Sequence, residues 1–130
     1  MKILGLAAAG LLLVSQAHAQ VTAKYFQAST VGDLRSLCSA SDFGDQGRYA
    51  VGFCYGWIVG VGQFYEQLLI DERFGLTPTA CTDKDVTREE ARKAFLDWAR
   101  AHPDASGRPA LSGFIDAMKE AVSCKLRQCR

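Results

Sequence analysis

RYAVGFCYGWIVGVGQFYEQLLID, residues 48–71, is the segment on which the fold turns. It carries no charge between Arg48 and Glu66. Placed on a helical wheel, Cys54, Trp57, Ile58, Val61, Phe64, Tyr65, Leu68 and Leu69 fill one broad face, and Gly52, Gly56 and Gly60 line the other. A helix that is apolar on both sides is expected at the buried centre of a bundle. Each interior glycine costs about 0.5–1 kcal/mol relative to alanine, and close approach of a neighbouring helix along the glycine stripe is the expected compensation. The uncharged run is broken by four glycines and Gln63, and is shorter than the roughly 20 residues of a membrane span. Gly56 to Gly62 does not match a dinucleotide loop, because no strand precedes it and no acid follows at the required distance.

Working outward, Thr30 with Asp33 announces an earlier helix through a variant capping box, with Val31, Leu34, Leu37 and Cys38 on one face. Ser39 to Gly47 reads as a connecting loop. Downstream, Glu72 to Cys81 is the longest internal loop. Thr87 and Glu90 then form a full capping box, and Ala91, Ala94, Phe95 and Trp98 make an apolar face. That helix ends at His102, because Pro103 disfavours the helical conformation of the residue before it. Pro109 opens a last helix whose expected core face is Leu111, Phe114, Ile115, Met118, Ala121 and Val122. No period-two segment is long enough for a sheet. The fold class expected is all-α, a small disulfide-stapled bundle of about four helices with up-down topology.

The N-terminus changes the composition. Lys2, the apolar run Ile3 to Val14 and the small-x-small step Ala17-His18-Ala19 have the form of a secretory signal peptide over residues 1–19. An N-terminal arm over residues 20–29 and a helical domain over residues 30–130 follow. Removing the leader takes one of the 15 basic residues and leaves 14 against 14 acids. The formal charge of +1 therefore belongs to the leader, and the neutral remainder argues against a nucleic-acid or anionic-membrane partner. After cleavage no membrane attachment is expected.

All five cysteines, 38, 54, 81, 124 and 129, lie in the exported part, where disulfides are the default. A Cys38–Cys54 bridge would staple the first two helices, and in an up-down bundle Cys124 returns to the level of Cys81. Four cysteines allow three connectivities, and Cys129 is left over. No C-x-x-C occurs, and the exported part holds a single histidine, His102, at a helix C-terminus where a structural role is expected. Asp83, Asp85, Glu89 and Glu90 gather at a helix start, where the dipole favours them. The inventory offers no catalytic set, no metal site and no cofactor site.

Beyond composition, the order of motifs is specific. Cys54-Tyr55-Gly56-Trp57-Ile58-Val59-Gly60-Val61 is followed by Cys81 with Val86-Thr87, then His102-Pro103, Ala110 and Cys124. This resembles the Rap/Tai family of periplasmic immunity proteins associated with type VI secretion, from about Leu34 to Cys124. Gln63, Thr82-Asp83 and Val122-Ser123 depart from the family pattern. The resemblance implies a non-catalytic, periplasmic inhibitor that binds a peptidoglycan amidase-type effector and blocks its groove sterically, with a homodimer as a further implication. The matching positions are mainly architectural: Gly52, Gly56 and Gly60, the cysteines, Thr87 and Pro103. The contact region expected is the Asp71 to Thr79 loop after the long helix, which carries Asp71, Glu72, Arg73 and the exposed-looking Phe74, with a plain linker as the alternative. Other functional classes compatible with a bridged, exported helical domain are an acid-stress-type periplasmic chaperone and a structural envelope protein.

Overall fold

The computed structural model describes residues 21–71, 73, 75 and 86–121. Its four helices are α1 (Val31–Cys38), α2 (Gly44–Ile70), α3 (Arg88–Ala101) and α4 (Ala110–Ala121), with short 3-10 turns at Ala23–Gln27 and Pro103–Gly107. The fold is all-α. The expected signal peptide over residues 1–19, Cys81, Cys124, Cys129, Glu72 and Phe74 lie outside the described residues, as does any bridge among the last three cysteines.

Both capping boxes are formed. The Thr30 hydroxyl accepts from the Asp33 amide at 3.1 Å while the Thr30 amide donates to the Asp33 carboxylate at 3.1 Å. Thr87 and Glu90 repeat the exchange at 3.2 and 2.9 Å. These reciprocal bonds satisfy amides that the helix leaves without partners. They also explain how Asp33 can sit at 9% exposure in the core. At its other end α3 stops at His102, whose ring nitrogen Nδ1 lies 2.9 Å from the Trp98 carbonyl oxygen and whose ring stacks on Trp98 at 4.6 Å. Pro103 then opens the 3-10 turn.

The centre of the fold is α1. Val31, Leu34, Leu37 and Cys38 are at most 1% exposed, and the helix packs against α2, α3, α4 and both 3-10 turns. A strap holds its start beside the start of α4: the Val31 amide donates to the Arg108 carbonyl at 2.9 Å and the Ala110 amide to the Ser29 carbonyl at 3.0 Å. Its end lies at the start of α3, where Arg92 Nε donates to the Cys38 carbonyl at 2.8 Å. The first helix therefore runs opposite to α3 and alongside α4, and the strict up-down alternation expected from the sequence does not hold. The Ser29–Thr30 and Arg108–Pro109 pairing sets this direction by main-chain hydrogen bonds that helix periodicity cannot reveal.

The long helix is not the buried centre. Only Ala50, Cys54 and Ile58 of its 27 residues are buried, one per turn. Trp57, Val61, Tyr65, Leu68 and Leu69 are half-buried, and Phe64 stands 63% exposed. The reason is length. At 1.5 Å per residue α2 is about 40 Å long, whereas helices of 8, 14 and 12 residues reach only about 12–21 Å and cover one side of it. The expected helix-on-glycine packing is also absent: among the described residues nothing lies within 4 Å of where a Cβ would stand at Gly52, Gly56 or Gly60.

Close approach occurs elsewhere. A Cβ at Gly113 would collide with Val31 Cγ2 and stand 3.1 Å from the Trp98 ring, and one at Gly32 would stand 2.5 Å from Ser106 Oγ. The small side of α4, made of Ala110, Gly113 and Ala117, therefore faces the core together with Phe114. That rotates α4 partway from the expected face, of which Phe114 is buried and Met118 packs against the core. Leu111 is 46% exposed, Ala121 is exposed, and Val122 lies outside the described residues. Phe114 completes an aromatic junction, edge-on to Trp57 at 5.4 Å and tilted against Phe95 at 6.0 Å.

Candidate functional site

Rigidity begins at the Cys38–Cys54 disulfide, which closes a sequence separation of 16 with both cysteines at 0% exposure. It fixes the end of α1 to the second turn of the buried stripe on α2. One residue on, Tyr55 leaves that stripe and reaches α3. Its hydroxyl donates to Glu89, accepts from Arg92 at 3.3 Å, and its ring lies under the guanidinium groups of Arg88 and Arg92 at 5.0 and 5.5 Å. The Tyr55 hydroxyl holds the Glu89 carboxyl below the usual carboxylate range, and Arg92 adds to this. The same bond to Glu89 pushes the Tyr55 phenol up. This clamp was not anticipated from sequence. Its partners are 34 and 37 positions apart, and each looks like an ordinary helix-surface residue in isolation.

From the clamp α2 continues to the segment that the sequence singled out for partner contact. Asp71 caps the helix end through its amide, which donates to the Gln67 carbonyl at 3.1 Å. Its carboxylate accepts from the Arg73 amide at 3.1 Å and from Arg73 Nε at 2.8 Å. The Arg73 guanidinium, and secondarily the Arg73 amide, hold the Asp71 carboxyl below the usual carboxylate range. Asp71 and Arg73 are thus brought together, the arginine 85% exposed at the side chain. Glu72 and Phe74 lie outside the described residues. Gly75 follows in the left-handed region at φ 55°, a conformation that glycine adopts without strain.

The outward side of α2 is the surface that sequence reasoning misplaced. Tyr49, Phe64 and Ile70 are 63–72% exposed, with Phe53 and Val59 at 37% and 41%. An open apolar depression lies at its N-terminal half, walled by Phe26, Tyr49 and Phe53 over Gly52. Phe26 meets Phe53 edge-on at 5.5 Å, which braces that wall. A signal for this exposure was present in the glycine spacing, which leaves a flat helix side, but hydrophobicity alone could not say which side the rest of the chain covers.

The described residues hold no group of three His, Cys, Asp or Glu side chains placed to bind a metal ion, and no helix among them is long and apolar enough to cross a membrane. Neither a curated protein nor a solved structure matches the chain. The family model of the Rap1a immunity proteins matches residues 30–124, from the capping threonine of α1 to Cys124. That span takes in all four helices, the bridged pair and both capping boxes, and the chain belongs to the Rap1a immunity protein family.

Proposed function

We propose that this immunity protein is exported through residues 1–19 and acts in the periplasm, where it binds a type VI secretion effector of the peptidoglycan amidase type and blocks its catalytic groove sterically. The observation that carries the reading is the family match over residues 30–124. The physical support is preorganisation. A core helix at the centre, a buried disulfide and the Tyr55–Glu89–Arg92 clamp fix the scaffold before any partner arrives, which lowers the entropic cost of binding. Such an inhibitor performs no chemistry of its own; it excludes substrate.

The contacting segment in this reading is Asp71 to Phe74 at the end of α2. Arg73 is held in place by Asp71 while remaining open to solvent, which suits an arginine anchor in an interface. The test is co-expression with effectors of the peptidoglycan amidase type, candidates being taken first from the genes flanking this one, each effector directed to the periplasm. Restored growth and a stable complex are expected, with Arg73→Ala weakening the complex at least about 10-fold. Cell lysis despite full expression of the exported chain, with no complex on purification, refutes the proposal.

A further inference from the structure

The four helices are not held equally. Helices α1, α3 and α4 share one apolar centre, in which Leu34, Leu37, Phe95, Trp98 and Phe114 are at most 7% exposed. The main-chain strap between Ser29–Thr30 and Arg108–Pro109 closes that unit without help from α2. The long helix adds Ala50, Cys54 and Ile58 as its buried residues, out of 27 positions. Trp57 and Val61 pack on the core half-buried. The bond from Tyr55 to Glu89 lies at the surface, where water competes for both partners. Little buried area spread over many residues marks an element that can open by itself.

One covalent bond opposes that opening. Cys54 is the middle residue of the buried stripe on α2, and its disulfide joins the stripe to the end of α1. Both cysteines are at 0% exposure, so a thiolate reaches either sulfur only when α2 has lifted away. The docked helix shields the bond, and the bond keeps the helix docked. We propose that Cys38–Cys54 is a redox latch for α2: oxidised, it makes the long helix one unit with α1, α3 and α4; reduced, it lets α2 open while the other three stay packed. Release breaks the S–S bond into two thiols, with two electrons and two protons supplied by a dithiol that itself becomes a disulfide. Closure is the reverse, the two thiols passing their electrons and protons to a disulfide oxidant by thiol exchange. Closing the loop across a separation of 16 residues is worth about 100-fold in the opening equilibrium. With export through residues 1–19, on which this role rests, the newly made chain carries thiols and leaves α2 free to open. The bundle then closes for good in the oxidising compartment, after transit and not before it.

The experiment is hydrogen exchange read by mass spectrometry on residues 20–130, with no toxin present, so its outcome is separate from that of the inhibitor reading. Exchange through global unfolding is common to every helix. The informative quantity is therefore the protection of residues 50–58 of α2 relative to peptides of α3 around Phe95 and of α4 around Phe114. In the oxidised parent the three are expected to be equally protected. In the double variant Cys38→Ala, Cys54→Ala, which keeps the cysteines at 81, 124 and 129, residues 50–58 should fall at least about 10-fold below the other two. The parent in excess dithiothreitol should show the same separation without the small cavities that alanine leaves, and it decides the matter if the double variant does not fold. Equal loss of protection in α2, α3 and α4 of the reduced parent overturns the proposal, since α2 is then no separate unit. Protection of α2 that stays level with α3 and α4 after reduction overturns it too, as does a separation already present in the oxidised parent.

Discussion

Two glycine-to-alanine substitutions with opposite expected signs test the packing most sharply. At Gly113 the new methyl would overlap Val31 Cγ2 and stand 3.1 and 3.4 Å from two atoms of the Trp98 ring. Neither neighbour can give way. Val31 is 1% exposed and its branched side chain is held to one rotamer. The Trp98 ring is stacked on His102, with Arg108 over it at 5.9 Å, itself paired to Asp116 at 2.6 Å. The helix α4 must therefore shift outward. Overpacking of this kind costs about 1–3 kcal/mol, offset by the roughly 0.5–1 kcal/mol that alanine gains over glycine in a helix. The net loss is about 1–2 kcal/mol, which in a domain near 100 residues lowers the melting temperature by about 5–15 °C. At Gly62 nothing lies within 4 Å among the described residues, so alanine keeps its full advantage and raises the melting temperature by about 2–8 °C. Urea and thermal unfolding followed by circular dichroism read both changes. A Gly113→Ala protein as stable as its parent would refute the placement of α4 against Val31 and Trp98.

Other consequences follow from the same contacts. Replacing both Cys38 and Cys54 by alanine opens the loop closed by their 16-residue separation, and urea unfolding should show a loss of about 3 kcal/mol on the chain-entropy model. Acid unfolding checks the clamp. Glu89 is held below the usual carboxylate range by the Tyr55 hydroxyl, so its contribution is complete above that range and is lost as pH falls through it. The stability gap between the parent and Glu89→Gln should therefore be constant near neutrality and shrink below about pH 4. Tyr55 has the opposite limb: its raised phenol contributes below about pH 10 and loses that contribution as the pH rises further. Removing the α1 cap by Thr30→Ala should cost about 1 kcal/mol in the same unfolding assay, because the Asp33 amide loses its acceptor.

What was legible in the sequence was mostly local. Thr30 with Asp33 and Thr87 with Glu90 mark helix starts through bonds that span three residues, and Pro103 marks a stop through a clash with its immediate neighbour. The Tyr55–Glu89–Arg92 clamp and the Ser29–Arg108 strap were not legible, since each joins residues far apart with no pattern between them. The face of α4 was misread for a different reason. Periodicity weighs large apolar side chains, whereas α4 approaches α1 and α3 closely at Gly113, where the side chain is missing. For α2 the apolar pattern was read correctly and its meaning was not. Hydrophobicity records the pattern of a helix and not its reach: 27 residues outrun neighbours of 8, 14 and 12, so one side of α2 stays uncovered among the described residues. Of the expected contact segment, the sequence identified a loop with charge and an aromatic; that Asp71 grips Arg73 and leaves it solvent-facing required the geometry.

The central claim is inhibition by binding, and titration calorimetry of residues 20–130 with purified candidate effectors, taken first from the products of the genes flanking this one, tests it most directly. The expected result is a saturable complex with a Kd in the nanomolar range, with peptidoglycan cleavage falling in proportion to the effector bound. Absence of a binding signal at concentrations of about 100 µM, with cleavage undiminished, would contradict it.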